Sequence, residues 1–179
     1  MKLTKQKTIQ TIDLINALIA ILNNIDYKAY SDGRAAHYLE YIKGDWKDEI
    51  KLVDPVFFPV FASKILGFSF GTSIIPKEKA GGSAERPDFL PNDLSLHPFI
   101  FETKGTDCQD LNIHYTQVKG YLQKTGAQYG ILLNIRDVKV FNAASPNPIP
   151  SLSFSIEKLY RDFKSNPKAV DLQPNTKHF

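Results

Sequence analysis

The sequence predicts an α/β protein in which a mixed central β-sheet is flanked by helices, with a helical segment at the N-terminus. Three observations lead to this fold class. Apolar residues recur at helical spacing in the first third of the chain, strand-like runs follow from residue 68 onward, and one helical run separates two doubly apolar runs. That strand–helix–strand order implies a right-handed crossover and a parallel strand pair in the sheet centre.

Three helical regions come first, over 8–24, 30–44 and 45–68. The second region offers Ser31 or Asp32 as its N-cap and Gly44 as its end. In the third region Pro55 and Pro59 predict a kink or a division into two helices.

The remaining elements follow from the change in periodicity at residue 68. The strands of the segment 68–104 are joined by short turns and are therefore expected to be antiparallel. In chain order we predict strands over 68–76, 88–91 and 97–105, a helix over 111–124, strands over 128–137 and 138–143, and a last helix over 155–163. We expect a helical segment packed on the core at 1–44, the core itself at 45–163, and a tail or a linker to a longer chain at 164–179.

Composition narrows the class of protein. The chain of 179 residues suits one domain, and its 42% hydrophobic and 23% charged residues are typical of a globular protein. The run "LINALIAIL" is well short of the roughly 20 apolar residues of a membrane span, and the N-terminus has no secretory pattern. The single cysteine, Cys108, fits a reducing compartment, so a cytoplasmic protein without a membrane partner is expected. A net charge of +3 permits a polyanionic partner without requiring one.

Polar residues interrupt the strand region at one place. Glu102 and Lys104 are two residues apart and therefore share a face of their strand, while Asp88 begins the preceding strand. If the two strands are neighbours, both carboxylates meet at one end of the sheet, where they repel unless a cation compensates. Mg²⁺ is commonly held by one or two carboxylates with further oxygens, and the Thr103 backbone carbonyl is available to it. Lys104 beside such an ion could position or deprotonate a water that attacks a phosphodiester.

These residues carry a resemblance. Pro87-Asp88, thirteen residues, and then Glu102-Thr103-Lys104 resembles the signature of the PD-(D/E)xK nuclease superfamily. The run "QVKGY", with Gln117 and Tyr121, is similar to the Q-x-x-x-Y element of RecB-like nucleases and type I restriction enzymes. The family fold is a mixed sheet flanked by helices, the restriction-endonuclease-like arrangement.

The resemblance implies a set of roles. Asp88 and Glu102, with the Thr103 carbonyl, would bind Mg²⁺ or Mn²⁺ as its substitute, and Lys104 would serve the nucleophilic water. Gln117 would steady the DNA or the water network. Many members also carry an acid on the helix before the sheet. Glu49 is the candidate for that acid and Asp54 the alternative, so the choice between them stays open at this point.

Contacts with DNA are expected from the loop before Asp88 and from the helix that carries Gln117. The candidates for these contacts are Lys79, Arg86, Lys119 and Tyr121. Basic side chains there would give phosphate contacts without base recognition.

The predicted function is that of a Mg²⁺-dependent DNA endonuclease, the cleavage domain of a restriction-modification protein. A methyltransferase or specificity region in the same longer chain, and a dimer on DNA, are implied partners. Two alternatives stay open: an inactive nuclease fold that binds nucleic acid or a partner protein, and a structure-selective repair nuclease. A zinc site from His97, His114 and Cys108 is disfavoured because the three lack paired spacing.

Overall fold

The computed structural model describes residues 2–77, 86–145, 147–150 and 152–166, with residues 2–10 described in their backbone alone. Six strands of this part of the chain form one sheet, and their spatial order equals their chain order. The strands are β1 (Ile74–Pro76), β2 (Phe89–Pro91), β3 (Phe99–Thr103), β4 (Tyr129–Leu133), β5 (Asp137–Asn142) and β6 (Phe154–Ser155).

The central pair is parallel. β3 and β4 run side by side from Phe99↔Tyr129 to Thr103↔Leu133, and the other neighbouring strands pair antiparallel. A mixed sheet with a parallel pair joined by a helical crossover is thus confirmed. The short edge strand β6 lies at Phe154, in a segment expected to belong to the last helix and the loop before it.

Helices before, within and after the sheet complete the fold. In chain order they are α1 (Lys2–Asn23), a 3₁₀-helix (Tyr27–Tyr30), α2 (Tyr38–Tyr41), a π-helix (Glu49–Phe57), α3 (Phe58–Lys64), a second 3₁₀-helix (Leu111–His114), α4 (Tyr115–Thr125) and α5 (Ile156–Ser165). No helix in the described ranges combines the length and the apolar character that crossing a membrane needs.

The long second helix predicted over 30–44 is wrong. The α-helix there has four residues, and it follows an extended His37 rather than Ser31 or Asp32. Ser31 Oγ accepts a hydrogen bond from the Ala35 backbone N–H at 2.9 Å, which closes a turn instead of starting a helix. Short polar side chains offer the backbone such local alternatives, and here the alternative prevails.

The first predicted strand is too long. In the segment 69–73, Ser69 N donates to Ser73 Oγ at 2.7 Å and Ser73 N donates to the Ser69 carbonyl at 2.8 Å. These bonds close a turn, and pairing with β2 begins only at Ile74.

The two prolines of the third helical region explain its change of helix type. Pro55 lies inside the π-helix and has no N–H for a regular α-helical bond, so the wider turn accommodates it. Pro59 is the second residue of α3, and like Pro55 it has no N–H for a helical bond. The region is therefore one continuous helical path in which the π-helix gives way to an α-helix at Phe58.

The sheet separates two apolar clusters. The larger cluster joins α1, α2, the π-helix, α3 and α5 to one face of the sheet, where Phe101, Leu133 and Val138 point. The smaller cluster joins α4 to the opposite face through Ile100 and Leu132. Alternation along β3 therefore sends Phe101 and Thr103 to the face of the larger cluster, and Ile100 and Glu102 to the face of α4.

Glycine sets the distance between α4 and the sheet. A Cβ on Gly130 of β4 would lie 2.2 Å from Val118 Cγ1, so only glycine allows this approach. The helix then stops at Gly126, whose φ of +72° is the left-handed conformation common after helix ends. α4 is thereby held close to β4.

Candidate functional site

The site lies where β2 and β3 separate. The two strands share the pair Phe89↔Phe101, and Asp88 stands immediately before β2. The Asp88 backbone N–H points to Glu102 Oε2 at 3.3 Å. The structure thus brings Asp88 and Glu102 together, as the strand pattern predicts.

Lys104 lies against the same carboxylate. Its Nζ is 2.6 Å from Glu102 Oε1 and 3.9 Å from Glu49 Oε2. Both Glu102 and Lys104 are buried. The Lys104 N–H donates to the Leu133 carbonyl at 3.0 Å, which continues the ladder one residue past β3 and fixes the lysine backbone.

Gln117 approaches Glu102 from α4. Its Nε2 donates to Glu102 Oε1 at 2.8 Å and lies 2.9 Å from the Tyr121 hydroxyl oxygen. Residues four apart share a face of an α-helix, which is why the Gln-x-x-x-Tyr spacing places both side chains at this carboxylate. Tyr121 is 6% exposed, so its hydroxyl chiefly holds Gln117 in position.

Asp54 approaches from the opposite face of the sheet. The Thr103 hydroxyl is hydrogen-bonded to Asp54 Oδ1 and lies 3.2 Å from Asp88 Oδ2, while the Thr103 N–H donates to the same Asp88 oxygen at 3.0 Å. Both candidates for the helix-borne acid therefore reach the site, in different places. Glu49 lies near Lys104, and Asp54 lies at Thr103 beside Asp88.

The carboxyl groups of the site resist ionisation. Burial first, and then the nearby charge of Asp88, raise the pKa of Glu102 to about 8, against the opposing effect of Lys104. Burial, with a smaller contribution from Asp88, likewise raises the pKa of Asp54 to about 6. Burial raises the pKa of Glu49 as well, and Asp88 and Asp54 add to that rise. Negative charge is in excess here, which is the condition that a bound cation relieves.

Lys104 keeps its charge in this environment. Burial alone would lower the pKa of its ammonium group, but the adjacent Glu102 carboxylate outweighs burial and raises that pKa. The side chain is therefore a hydrogen-bond donor and a positive charge rather than a base.

The oxygen donors suit a hard divalent cation. Asp88 and Glu102 supply carboxylate oxygens at one point, and the affinity of such oxygens for Mg²⁺ and Mn²⁺ is general chemistry. Within the described ranges, no group of three or more His, Cys, Asp and Glu side chains has a geometry that could hold a metal ion. A cation here would thus depend on two carboxylates and on other oxygen ligands, which Mg²⁺ accepts because it retains several waters.

Two of the predicted DNA contacts are exposed side chains of the described residues. Arg86 is exposed two residues before Asp88. Lys119 is exposed on α4, but a residue two positions from Gln117 lies on nearly the opposite side of the helix. Lys79 falls outside the described residues.

The residues weighed for zinc do not converge. The His97 ring packs edge-on against Phe68 at 5.1 Å, before the start of β3. His114 precedes α4, beside Gln117, and burial together with the charge of Lys104 lowers its pKa. Cys108 Sγ lies 3.6 Å from the Asp110 carbonyl oxygen.

Asp48 is a residue of this region that the sequence does not reveal. Its carboxylate is buried and accepts from Tyr41 Oη at 2.6 Å, from Thr106 N at 2.7 Å and from Thr106 Oγ1 at 2.6 Å. These bonds fix the turn that follows Lys104. An aspartate directly before a helix is expected to be a cap, yet its side chain makes no cap bond, and Thr106 is 58 positions away in sequence.

No family model, no curated protein and no solved structure matches the chain.

Proposed function

We propose that this chain is a Mg²⁺-dependent DNA endonuclease of the PD-(D/E)xK kind, the cleavage domain of a restriction-modification protein. The observation that carries the proposal is the meeting of Asp88, Glu102 and Lys104 at the end of β3, with Lys104 Nζ 2.6 Å from Glu102 Oε1. An acid just before β2 and an acid on β3 could hold a metal ion, and the buried ammonium group beside them could counter negative charge during phosphodiester hydrolysis.

The roles follow from the contacts. Asp88 and Glu102 would hold the ion, with the Thr103 carbonyl as a further ligand. Mg²⁺, or Mn²⁺ in its place, would polarise the phosphoryl oxygen and make its bound water more acidic. Gln117 restrains Glu102 by donating to the same oxygen as Lys104, so that the carboxylate presents a fixed edge.

Two roles were considered for Lys104, to position the attacking water or to deprotonate it, and its positive charge favours the first. Because Glu102 raises the lysine pKa, the ammonium group would orient the attacking water and counter the charge that develops on the phosphate, rather than remove a proton. In the reaction, water oxygen bonds to phosphorus and the phosphorus–oxygen bond to the leaving sugar breaks. The water loses one proton to solvent, and the leaving oxygen takes one.

The proposal of DNA as the substrate, and of the partners, is based on the family resemblance and on the charge of the chain. Lys79, Arg86 and Lys119 would contact phosphates, with Tyr121 supporting the site, and a net charge of +3 is compatible with a polyanion. Sequence recognition, methylation and dimerisation would come from a specificity or methyltransferase region and from a second copy on DNA.

Cleavage of supercoiled plasmid tests the proposal. The parent should nick plasmid with Mg²⁺ or Mn²⁺ and stop with EDTA, and Asp88→Asn and Lys104→Ala should each lose about 100-fold or more in rate. Asp13→Asn and Lys64→Ala, which change exposed residues of α1 and α3, are matched controls and should cut like the parent. Cleavage that survives Asp88→Asn or EDTA would contradict the assignment.

A non-cutting nuclease fold is the second candidate. The finding in its favour is that no three His, Cys, Asp or Glu side chains of the described residues form a group that could hold a metal ion. Titration calorimetry separates the two candidates. A parent that binds DNA but takes up neither Mg²⁺ nor Mn²⁺ supports this second function, whereas uptake that Asp88→Asn abolishes supports the nuclease.

A further inference from the structure

A cavity of about 300 Å³ lies within the larger apolar cluster, between the helices α1, α3 and α5 and one face of the sheet. Leu18 of α1, Phe61 of α3 and Leu159 of α5 line it from the helix side, and Val138 and Val140 line it from β5. Protein cores leave few spaces larger than a water molecule, so a cavity of this volume is a feature that core packing does not explain.

The cavity is separate from the proposed nuclease site. It lies on the face of the sheet to which Phe101 points, whereas Glu102 points to the face of α4. None of the described residues that line it has a role in the proposed hydrolysis. The cavity therefore needs an explanation of its own.

The walls of the cavity are apolar almost throughout. Among the described residues that line it, Thr11 is the one with a polar side chain, and none is charged. Phe101 and Val138 are buried, while Leu14 and Ile65 are partly exposed, so a small molecule can reach the cavity from solvent. A charged ligand would lose its hydration against such walls without gaining a partner, which strongly disfavours it.

The volume is large enough for a small organic molecule. Ligand pockets of proteins typically measure roughly 300 to 1,000 Å³. An apolar cavity of roughly 150 Å³, lined by leucine, isoleucine and phenylalanine, is able to bind benzene. With about 300 Å³ and similar walls, this cavity has room for a benzene ring that carries alkyl groups, or for an alkyl chain of similar volume.

We propose that this cavity is a binding site for a neutral apolar ligand whose volume is similar to that of an alkylbenzene. Aromatic and alkyl ligands share this chemistry, because the walls offer apolar contact surface and no charged partner. The inference does not depend on the proposed function, since it uses neither the acids nor the lysine of the nuclease site.

Thermal unfolding of the full chain with p-xylene or with 1-octanol is the first measurement. A ligand that binds the folded state raises the melting temperature, and a ligand at about ten times its dissociation constant should raise it by roughly 3 to 6 °C. Octanoate has the chain length of 1-octanol but carries a charge. At the same concentration it should raise the melting temperature by less than about 1 °C.

Methyl NMR locates the bound ligand. p-Xylene should shift the methyl signals of Leu18, Val138 and Val140, which line the cavity. It should leave the methyl signals of Val118 and Leu122 unchanged, because both belong to the smaller apolar cluster on the other face of the sheet.

Variants that narrow the cavity test the site directly. Val140→Phe should weaken p-xylene binding at least about tenfold, since the added ring takes space that the ligand needs. Val60→Phe makes the same chemical change at a side chain of α3 that is 40% exposed, and binding should stay within about twofold of the parent. Ile131→Phe, at a partly exposed lining position, is a second narrowing variant if Val140→Phe folds poorly, and circular dichroism checks folding.

Each outcome bears on the inference. Stabilisation by p-xylene alone or by 1-octanol alone supports it and assigns the ligand class, aromatic or alkyl. It is wrong if neither neutral ligand stabilises the parent, whether the chain itself closes the cavity or a second copy does, which analytical ultracentrifugation would show as a dimer. Stabilisation that persists in both Val140→Phe and Ile131→Phe, or an equal effect of octanoate, also overturns it. These measurements involve neither DNA nor metal, so they leave the nuclease proposal to its own test.

Discussion

Glu102 is the residue on which the contacts of the site converge. Its Oε1 accepts from Lys104 at 2.6 Å and from Gln117 at 2.8 Å, and its Oε2 faces the Asp88 N–H at 3.3 Å. Such donors favour the charged form, yet burial and Asp88 raise its pKa to about 8. Without a cation the carboxyl group is therefore harder to ionise than an ordinary glutamate, and a cation, which binds the ionised form, would oppose that effect.

This pKa predicts how stability depends on pH when EDTA removes divalent cations. A carboxyl group with a raised pKa in the folded state stabilises fully below its unfolded value, near 4.5, and that contribution is lost as pH rises through about 8. The free energy of unfolding of the parent should therefore fall, relative to Glu102→Gln, by roughly 2 to 4 kcal/mol between pH 5 and pH 9. Urea unfolding of both proteins at several pH values measures the difference.

Asp54 and Glu49 titrate in the same direction, but they remain in both proteins and cancel in that comparison. Parallel curves for the parent and Glu102→Gln would show that the pKa of Glu102 is not raised. In Mg²⁺ binding the sign reverses, because the ion selects the ionised carboxylate, so affinity should increase as pH rises toward 8.

At the scale of elements, hydrogen bonds connect the residues just before the π-helix to the turn after β3. Asp48 stands one residue before the π-helix and accepts both the N–H and the hydroxyl of Thr106. The Trp46 carbonyl accepts the Asp107 N–H at 3.0 Å in the same connection. Glu49 and Lys104 are carried on the two segments that these bonds join.

Asp48→Ala should destabilise the fold by about 2 to 4 kcal/mol, because the buried Thr106 N–H and the hydroxyls of Tyr41 and Thr106 lose their acceptor. Asp45→Ala is the matched control: Asp45 lies three residues earlier, is exposed, and accepts one bond from Gln109 at 2.8 Å. Its change should stay within about 0.5 kcal/mol. Urea unfolding measures both, and equal effects for the two variants would show that the buried connection contributes little.

At the scale of the whole molecule, the sheet carries a helix layer on each face, and the site is built from both layers. Gln117 comes from α4, whereas Asp54 comes from the π-helix on the other side. The position of α4 over the sheet depends on Gly130, next to Val118. The distance between α4 and the sheet therefore affects where Gln117 lies relative to Glu102.

Gly130→Ala should force α4 away from the sheet and destabilise the protein by about 1 to 3 kcal/mol, since its Cβ would lie 2.2 Å from Val118 Cγ1. Gly120→Ala makes the same chemical change inside α4, where an added Cβ meets nothing within 4 Å. That variant should be more stable than the parent by about 0.5 to 1 kcal/mol. Thermal unfolding with a common baseline measures the two shifts, and shifts of the same sign would contradict the spacing argument.

The sequence alone determined the order of the main elements and the pairing of acids with a lysine. Alternation along "FIFETK" is a local property, so it gives the common face of Glu102 and Lys104 without any knowledge of the fold. The four-residue spacing of Gln117 and Tyr121 is equally local. The prediction of a helix over 30–44 was wrong because the side chain of Ser31 accepts a hydrogen bond that closes a turn there. Hydrophobic periodicity carries no information about such side-chain hydrogen bonds.

Tertiary structure alone decided which residues far apart in sequence contact β3 and the turn after it. That Asp54 reaches Thr103, and that Asp48 reaches Thr106, are contacts across 49 and 58 positions. Contacts over such separations depend on how the π-helix packs against the sheet, through buried residues such as Leu52 and Phe57. Packing is a property of the whole core, so the contact of Asp48 with Thr106 leaves no pattern at either position, and the sequence offers Asp54 only as an alternative to Glu49.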